Sequence, residues 1–125
     1  MMEINIPEVV AEVRAAFERY EAALCANEVD TMTELFWADP RCLRFGVGEN
    51  LYGHEAITRF RRERTTGPIS RRLVRTIVTT FGRDFATVNI EYRRAGVDRQ
   101  SQTWVRTDAG WRVVAAHVSL MGTTT

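Results

Sequence analysis

The chain has 125 residues, 45% of them hydrophobic, and a formal net charge of +1. A chain of this length and composition can bury a substantial core, which predicts one domain spanning residues 1–125. Because the net charge is close to zero, no overall field would attract nucleic acid or a membrane surface, and we expect neither as a partner.

Helices are predicted in the first third of the chain. Asn5 and Pro7 have the residue types of an N-cap and a first helical turn, and a helix of about five turns follows them. Its apolar stripe has spacings of three and four and consists of Val10, Val13, Phe17, Tyr20 and Leu24. Thr31 and Glu34 resemble a capping box, which predicts a short second helix that ends before Pro40.

Two short extended segments, residues 41–45 and 50–53, are predicted before a third helix over residues 54–64. Ile57 and Phe60 should face the core. The helix also carries a cluster of arginines, namely Arg59, Arg61, Arg62 and Arg64. We interpret this cluster as a solvated helix face, because the aromatic residues that alternate with basic ones in RNA-binding proteins are missing.

The second half of the chain predicts β-strands, because the hydrophobic residues there recur with a period of two. The predicted strands cover residues 72–81, 85–93, 99–106 and 111–121. The turns between them are short, so an antiparallel four-stranded meander is expected. Residues 65–70 are predicted to form a loop, and residues 122–125 a frayed tail.

The last predicted strand is apolar on both of its faces. One face consists of Val114, Ala116, Val118 and Leu120, and the other of Val113, Ala115, His117, Ser119 and Met121. One face should pack on the helices, whereas the other needs a second cover, for which a partner subunit is the simplest choice. We therefore predict a homodimer through the sheet.

The cysteines and histidines favour neither a metal site nor disulfides. Cys25 and Cys42 form no CxxC motif and are typical of free thiols in a reducing compartment. The two histidines are far apart in the sequence, so we expect no metal. The first residues show neither the basic nor the apolar part of a signal peptide, and no apolar run reaches membrane-spanning length. A cytoplasmic protein is expected.

The predicted order of elements, α-α-β-β-α-β-β-β-β, indicates the α+β class. This order resembles the cone-shaped fold of nuclear transport factor 2 (NTF2) and of the SnoaL-like enzymes. The resemblance implies a single SnoaL-like, NTF2-like domain over residues 1–125. It also implies that the N-terminal helices pack on a curved antiparallel sheet and leave a pocket at the open end of the cone. Such a fold serves enzymes, binding proteins and scaffolds alike.

Several segments resemble a narrower family, the AtzH-like proteins, which include the oxalurate-catabolism proteins of the HpxZ type. These segments are residues 5–9, 34–37, 39–41, 48–53, 93–96, 99–104 and 110–120. The motif Trp-Arg-x-Val-x-x-His at residues 111–117 is common in the superfamily. Its combination with Gly-Glu-Asn-Leu-Tyr-Gly at residues 48–53 is much more specific.

The resemblance implies a small metal-free amidohydrolase of nitrogen catabolism that needs no cofactor. Its substrate would be a carboxylated urea, such as 1,3-dicarboxyurea giving allophanate, or an oxalurate-related compound. A functional link to an amidase-signature hydrolase is also implied. The alternative is a non-catalytic accessory or binding subunit of such a hydrolase. A third interpretation, an isomerase of the ketosteroid type, needs a buried acidic base in an apolar pocket and fits the many arginines less well.

Three residues are candidates for catalysis. Arg44 could hold a carboxylate with its planar guanidinium, and the alternative is that it points outward or forms an ion pair with Glu49 or Glu91. Tyr20 could pass a proton to the scissile amide, or it could be a core tyrosine bonded to the backbone. His117 could be a general base or a structural hydrogen-bonding residue. The family resemblance supports Arg44 and Tyr20.

Further side chains are candidates for substrate binding. They are Trp37, Glu49, Tyr52, Gln102, Trp104 and Ser119. Gln102 shares a strand face with Trp104 and offers a urea group both a donor and an acceptor. Trp37 and Tyr52 could form the pocket rim or belong to the core. Glu49 could position the proposed carboxylate-binding arginine or simply occupy a turn, and Ser119 could pack beside its strand neighbours.

Overall fold

A computed structural model describes residues 2–64, 67–94 and 96–121 of the chain. Three helices are present: α1 (Pro7–Ala26), α2 (Val29–Leu35) and α3 (His54–Glu63). The strands are β1 (Leu43–Phe45), β2 (Asn50–Tyr52), β3 (Arg72–Phe81), β4 (Phe85–Arg93), β5 (Val97–Thr107) and β6 (Gly110–Leu120). This order is the predicted one. The predicted tail over residues 122–125, and residues 65–66 of the predicted loop, lie outside the described residues.

The six strands form one sheet in the order β2-β1-β6-β5-β4-β3. Strands β3 to β6 form the predicted antiparallel meander. The expected antiparallel sheet has one parallel pair, because β1 pairs parallel with β6, and the sheet is therefore mixed. These two strands lie far apart in the sequence, so no turn signal could predict their pairing. Among the described helices, none is long and apolar enough to cross a membrane.

One face of the sheet packs against α1 and is called the inner face here. A single row of paired residues crosses it, namely Val78, Val88, Gln102, Ala116 and Arg44. The next row lies on the opposite, outer face and consists of Ile77, Asn89, Ser101, His117 and Phe45. Side chains alternate along each strand, so Arg44 and His117 point to different sides of the sheet. The homodimer through the outer face stays a prediction.

The first helix has the predicted apolar stripe and starts at Pro7, but its N-terminus differs from the prediction. Asn5 does not cap the helix, because the cap position is taken by Ile6 without a side-chain hydrogen bond. Asn5 instead adopts a left-handed φ of 59°, donates its backbone N–H to the Thr80 carbonyl and accepts the Thr80 N–H on its side chain. It thereby ties the N-terminal segment to β3.

The predicted capping box of the second helix is not formed. Thr31 lies inside α2, whose N-cap is Glu28. Glu34 contacts Arg19 of α1, with a distance of 3.2 Å between Oε2 and Nη2. The local sequence pattern fits a cap, but the helix begins two residues before Thr31.

A β-bulge changes the predicted faces of the last strand. Thr103 pairs with Ala115, but Trp104 pairs with Val113, so Val114 is an extra residue on β6. As a result Val113 lies on the inner face, where it is fully buried, and not beside His117 as predicted. A bulge of one residue shifts the alternation of side chains, so that residues before and after the bulge change faces relative to a regular strand. The period-two pattern of the sequence alone does not reveal such a bulge.

The sequence predicts a solvated face for the arginine cluster at residues 59–64, but the structure does not show a uniform one. Arg59 and Arg62 are exposed, but Arg61 is only 5% exposed and Arg64 is half-buried. Arg61 lies four residues after the buried Ile57, and this spacing places both on one side of the helix. Two of the four arginines are therefore turned towards the interior, Arg61 within α3 and Arg64 directly after its end.

Candidate active site

A cavity of about 300 Å³ lies between α1, α3, the β1–β2 hairpin and the inner face of the sheet. Four arginines line it: Arg44, Arg64, Arg71 and Arg94. Among the described residues its acidic lining residues are Glu49 and Asp98, so this part of the cavity wall has an excess of positive charge. A small anion is the ligand that this charge distribution favours.

Tyr20 reaches the cavity from the apolar stripe of α1 and is only 1% exposed. Its hydroxyl oxygen accepts a hydrogen bond of 2.9 Å from Nη2 of Arg61. Burial by itself would raise the pKa of the Tyr20 phenol. The positive charges of Arg61 and Arg44 and the Arg61 hydrogen bond outweigh this, so that the pKa falls below its usual value. Tyr20 is consequently a stronger acid than an ordinary tyrosine.

Arg44 comes from β1 and lies beside the cavity with a side chain that is 15% exposed. Its Nη1 donates to Oε1 of Glu49 over 2.9 Å, while its Nε is buried without a partner. Gly46 makes this ion pair possible, because a Cβ there would lie only 1.8 Å from Oε1 of Glu49. The ion pair with Glu49, the alternative role of Arg44 predicted from the sequence, is thus present, and it lies in the cavity wall.

Arg71 precedes β3 and is held by Glu21 of α1 in a two-pronged ion pair. Its Nε donates to Oε2 of Glu21 over 2.7 Å, and its Nη2 bonds to Oε1 of the same carboxylate. Nη2 also reaches Oε1 of Gln100 at 3.2 Å, and the guanidinium lies 4.2 Å from the ring centre of Tyr92. Burial would lower the pKa of Arg71, but the Glu21 carboxylate raises it overall. Arg71 therefore remains a fixed cation in the wall.

Removing Glu21 should strongly destabilise the protein. The side chains of Arg71 and Glu21 are 4% and 13% exposed, so Glu21→Ala would leave a buried guanidinium without its counter-ion. We expect a loss of about 3 kcal/mol in the free energy of unfolding, measured by denaturant titration. Glu18→Ala, an exposed position on the same helix, is the matched control. A loss as small as that of the control would show that solvent in the cavity replaces Glu21.

Arg64 has no carboxylate partner among the described residues. Its Nη2 donates to Oδ1 of Asn27 at 3.1 Å, and its Nε is buried without a partner. Burial, followed by the charges of Arg61, Arg94 and Arg44, lowers the pKa of Arg64. Such mutual repulsion among cations is relieved when an anion binds between them. The cavity is thus electrostatically prepared for a carboxylate.

Three of the predicted site residues, Tyr20, Arg44 and Glu49, meet in this cavity. His117 does not join them, which corrects the prediction. It is exposed on the outer face and packs edge-on against Phe45, with ring centres 5.7 Å apart. Ser119 is half-buried and lies two residues further along the same outer face. In the register of β1 on β6, Arg44 lies on the inner face of the sheet and His117 on the outer face.

Gln102 and Trp104 lie on the inner face as predicted, but neither lines the cavity. Trp104 is fully buried and donates its Nε1–H to Oε1 of Gln102 over 2.9 Å. They belong to the core beneath α1. Gln100, two residues earlier on the same strand face, takes the position in the cavity wall.

The two aromatic rim candidates also lie away from the cavity. Tyr52 is 66% exposed and packs edge-on against Phe45 on the outer face. Trp37 is half-buried in a separate surface depression, where the guanidinium of Arg41 lies 5.0 Å from its ring centre. Neither ring can contact a ligand that is bound beside Tyr20.

The candidate site residues predicted from the sequence do not include Arg64, Arg71, Asp98 or Gln100. For two of them a signal was present: Asp98 and Gln100 continue the period-two face of Gln102 and Trp104 towards the start of β5. Arg64 directly follows α3 and lies seven residues, about two helical turns, after the buried Ile57. Arg71 had no such signal, since it precedes the regular pattern of β3.

Burial raises the pKa of both cysteine thiols in the described part of the chain, Cys25 and Cys42. Burial raises the pKa of the Cys42 thiol to about 11, so this cysteine stays protonated and unreactive near neutral pH. No group of three or more His, Cys, Asp or Glu side chains within residues 2–64, 67–94 and 96–121 is arranged to hold a metal ion.

Helices packed on one face of a curved mixed sheet, with a cationic cavity at one end, define a protein of NTF2-like fold. An NTF2-like protein from Pseudomonas putida KT2440 has this fold, with a TM-score of 0.82 at 19% identity over 97% of this chain and 90% of its own. The chain itself belongs to the AtzH-like family, whose model matches residues 2–124. The family resemblance of the sequence segments is thereby confirmed.

Two solved structures are considerably more similar in sequence. A protein of unknown function of the DUF3225 family from Pectobacterium atrosepticum is 49% identical, covers 95% of each chain and has a TM-score of 0.91. A cystatin-like fold protein from Burkholderia xenovorans LB400 is 46% identical, covers 99% of this chain and 100% of its own, and has a TM-score of 0.93. Among curated proteins, none matches this chain significantly.

Proposed function

We propose that this protein is an amidohydrolase of small carboxylated ureas, such as 1,3-dicarboxyurea giving allophanate, or of a related oxalurate-like compound. The observation that carries the proposal is the buried, acidified phenol of Tyr20 in a cavity lined by arginines. Membership of the AtzH-like family supports the same substrate class.

The cavity suits the binding of such a substrate. Its volume of about 300 Å³ matches the lower end of small-molecule sites. A carboxylate of the substrate would bind to Arg44, whose guanidinium can donate two parallel hydrogen bonds. The substrate carboxylate and the Glu49 carboxylate would then both bind to the Arg44 guanidinium. Asp98 and Gln100, which line the cavity from β5, offer acceptors to the urea N–H groups.

The chemical step needs one proton at the leaving nitrogen. In 1,3-dicarboxyurea the bond between one terminal carboxylate carbon and its nitrogen breaks, and its electron pair stays on the nitrogen. Tyr20 would donate its hydroxyl proton to that nitrogen, carbon dioxide would leave, and the phenolate would regain a proton from water. Hydration of the carbon dioxide completes a net hydrolysis. Arg44 would hold the carboxylate that remains on allophanate.

The test is the release of carbon dioxide by the purified protein from freshly prepared dicarboxyurea, and of carbon dioxide and ammonia from oxalurate. Carboxylated ureas decay unaided, so the doubly substituted Tyr20→Phe, Arg44→Ala protein provides the baseline. We expect turnover well above this baseline, with carbon dioxide as the first product from dicarboxyurea. A folded protein that shows no excess over the baseline would contradict the proposal and support an accessory subunit of an amidase-signature hydrolase.

A further inference from the structure

Arg61 is a buried cation without a counter-ion in the described part of the chain. Its side chain extends from α3 to the underside of the cavity, where the residue is 5% exposed. Its Nη1 lies 3.0 Å from the sulfur of Met32, and its Nε is buried without a partner. A guanidinium is costly to bury when no carboxylate neutralises it. The burial of Arg61 is therefore not explained by a contribution to the stability of the fold.

The contact with Tyr20 supplies an explanation. An arginine can only donate hydrogen bonds, so the 2.9 Å bond from Nη2 makes the Tyr20 oxygen an acceptor. The hydroxyl proton of Tyr20 is therefore left for another acceptor. Within the described residues the hydroxyl donates to no protein group, and Tyr20 lines the cavity. The proton is thus available to a ligand there.

Packing holds the guanidinium in this position. Its central carbon lies 4.9 Å from the ring centre of Phe36 and 5.6 Å from that of Tyr20. The two rings also contact each other, with centres 5.6 Å apart. A planar cation packed against two aromatic rings keeps a defined orientation. The direction of its hydrogen bond to Tyr20 is consequently set before any ligand enters.

We propose that Arg61 is a positioning residue, which directs the Tyr20 hydroxyl proton into the cavity and stabilises the phenolate that remains after proton transfer. The use of that proton rests on the proposed hydrolase function, but the effect of Arg61 on Tyr20 does not. Arg61 need not contact the substrate, since it acts only through the phenol oxygen.

The experiment titrates Tyr20 by the ultraviolet absorbance of its phenolate. The protein has three tyrosines, so the signal of Tyr20 is the difference between each protein and the same protein with Tyr20→Phe. In Arg61→Met, a neutral side chain of similar length, the Tyr20 pKa should rise by about one unit or more. Arg62→Met, the exposed neighbour on α3, is the matched control and should leave the titration unchanged.

Two further variants separate charge from shape. Arg61→Gln is also neutral and should move the titration in the same direction, which keeps the test valid if Arg61→Met does not fold. Arg61→Lys keeps the charge without the planar group, so its titration should lie between those of the wild type and Arg61→Met. A Tyr20 titration that is unmoved in a folded neutral variant would overturn the proposal, because a merely structural arginine would give that result.

Turnover distinguishes this inference from the proposed function. Arg61→Met should lower kcat at neutral pH about tenfold or more with little change in KM, and the high-pH limb of its rate profile should move with the Tyr20 titration. If the wild type shows no turnover while the titration shifts, only the proposed hydrolase function fails. If the wild type turns over and the titration does not shift, only the role of Arg61 fails.

Discussion

Replacing Arg44 with alanine should lower kcat/KM for a carboxylated urea by about 100-fold or more while the fold is retained. The guanidinium lies in the cavity wall, where no other group of β1 can replace it, and its Nε is buried without a partner. The fold should survive because Glu49, the partner left behind, is 28% exposed and can be hydrated. Steady-state rates of carbon dioxide release, with circular dichroism as the folding check, measure both effects.

Two controls show whether the loss reflects carboxylate binding. Arg59→Ala removes an exposed arginine on α3 and should leave the rate unchanged. The double variant Arg44→Ala, Glu49→Gln removes the negative charge that would otherwise remain next to the empty position. If the double variant regained wild-type affinity, the loss in Arg44→Ala would come from repulsion by Glu49, and Arg44 would not be a binding residue.

Tyr20→Phe should lower kcat by about 100-fold or more with a smaller effect on KM. Phenylalanine keeps the ring that packs against Phe36, so the core should stay intact. It removes the only proton donor that the proposed step uses. It also leaves Arg61 without its acceptor, which should cost about 1–3 kcal/mol in the free energy of unfolding. Rate measurements and denaturant titration on the same sample separate these two effects.

The pH dependence gives an independent check on Tyr20. As a proton donor Tyr20 must be protonated, so the rate should fall as the pH rises through its pKa. Because that pKa is lowered, the fall should begin below the value near 10 of an ordinary tyrosine. Tyr52→Phe, on the outer face, is the matched control and should leave both kcat and the pH profile unchanged. A high-pH limb that persists in Tyr20→Phe would assign the titration to another group.

Much of the fold could be predicted because it rests on local patterns. The stripe that includes Phe17 and Tyr20 predicts α1, since spacings of three and four need only the geometry of one helix. Short turns likewise predict the antiparallel meander from β3 to β6. The caps were less predictable: Asn5 bonds to Thr80 on β3, and a partner that distant in sequence outweighed the local preference for a helix cap.

The candidate site was only partly predictable, because its residues come together through pairings of distant strands. His117 was expected beside Arg44, yet the register of β1 on β6 pairs it with Phe45 on the outer face. The sequence predicts that Arg61 belongs to a solvated helix face together with the neighbouring arginines. Only the packing of α3 against α2 and the β1–β2 hairpin places it within reach of Tyr20.

The sequence by itself therefore determined the class of fold and the stripe that carries Tyr20, since helix and strand periods act over a few residues. Its motifs, such as the one over residues 48–53, carried the resemblance to the family. The tertiary structure decided which polar side chains share the cavity. Burial and charge depend on neighbours far along the chain, as the pairs Arg71–Glu21 and Arg61–Tyr20 illustrate. Their separations of 50 and 41 residues lie far beyond the reach of any local pattern.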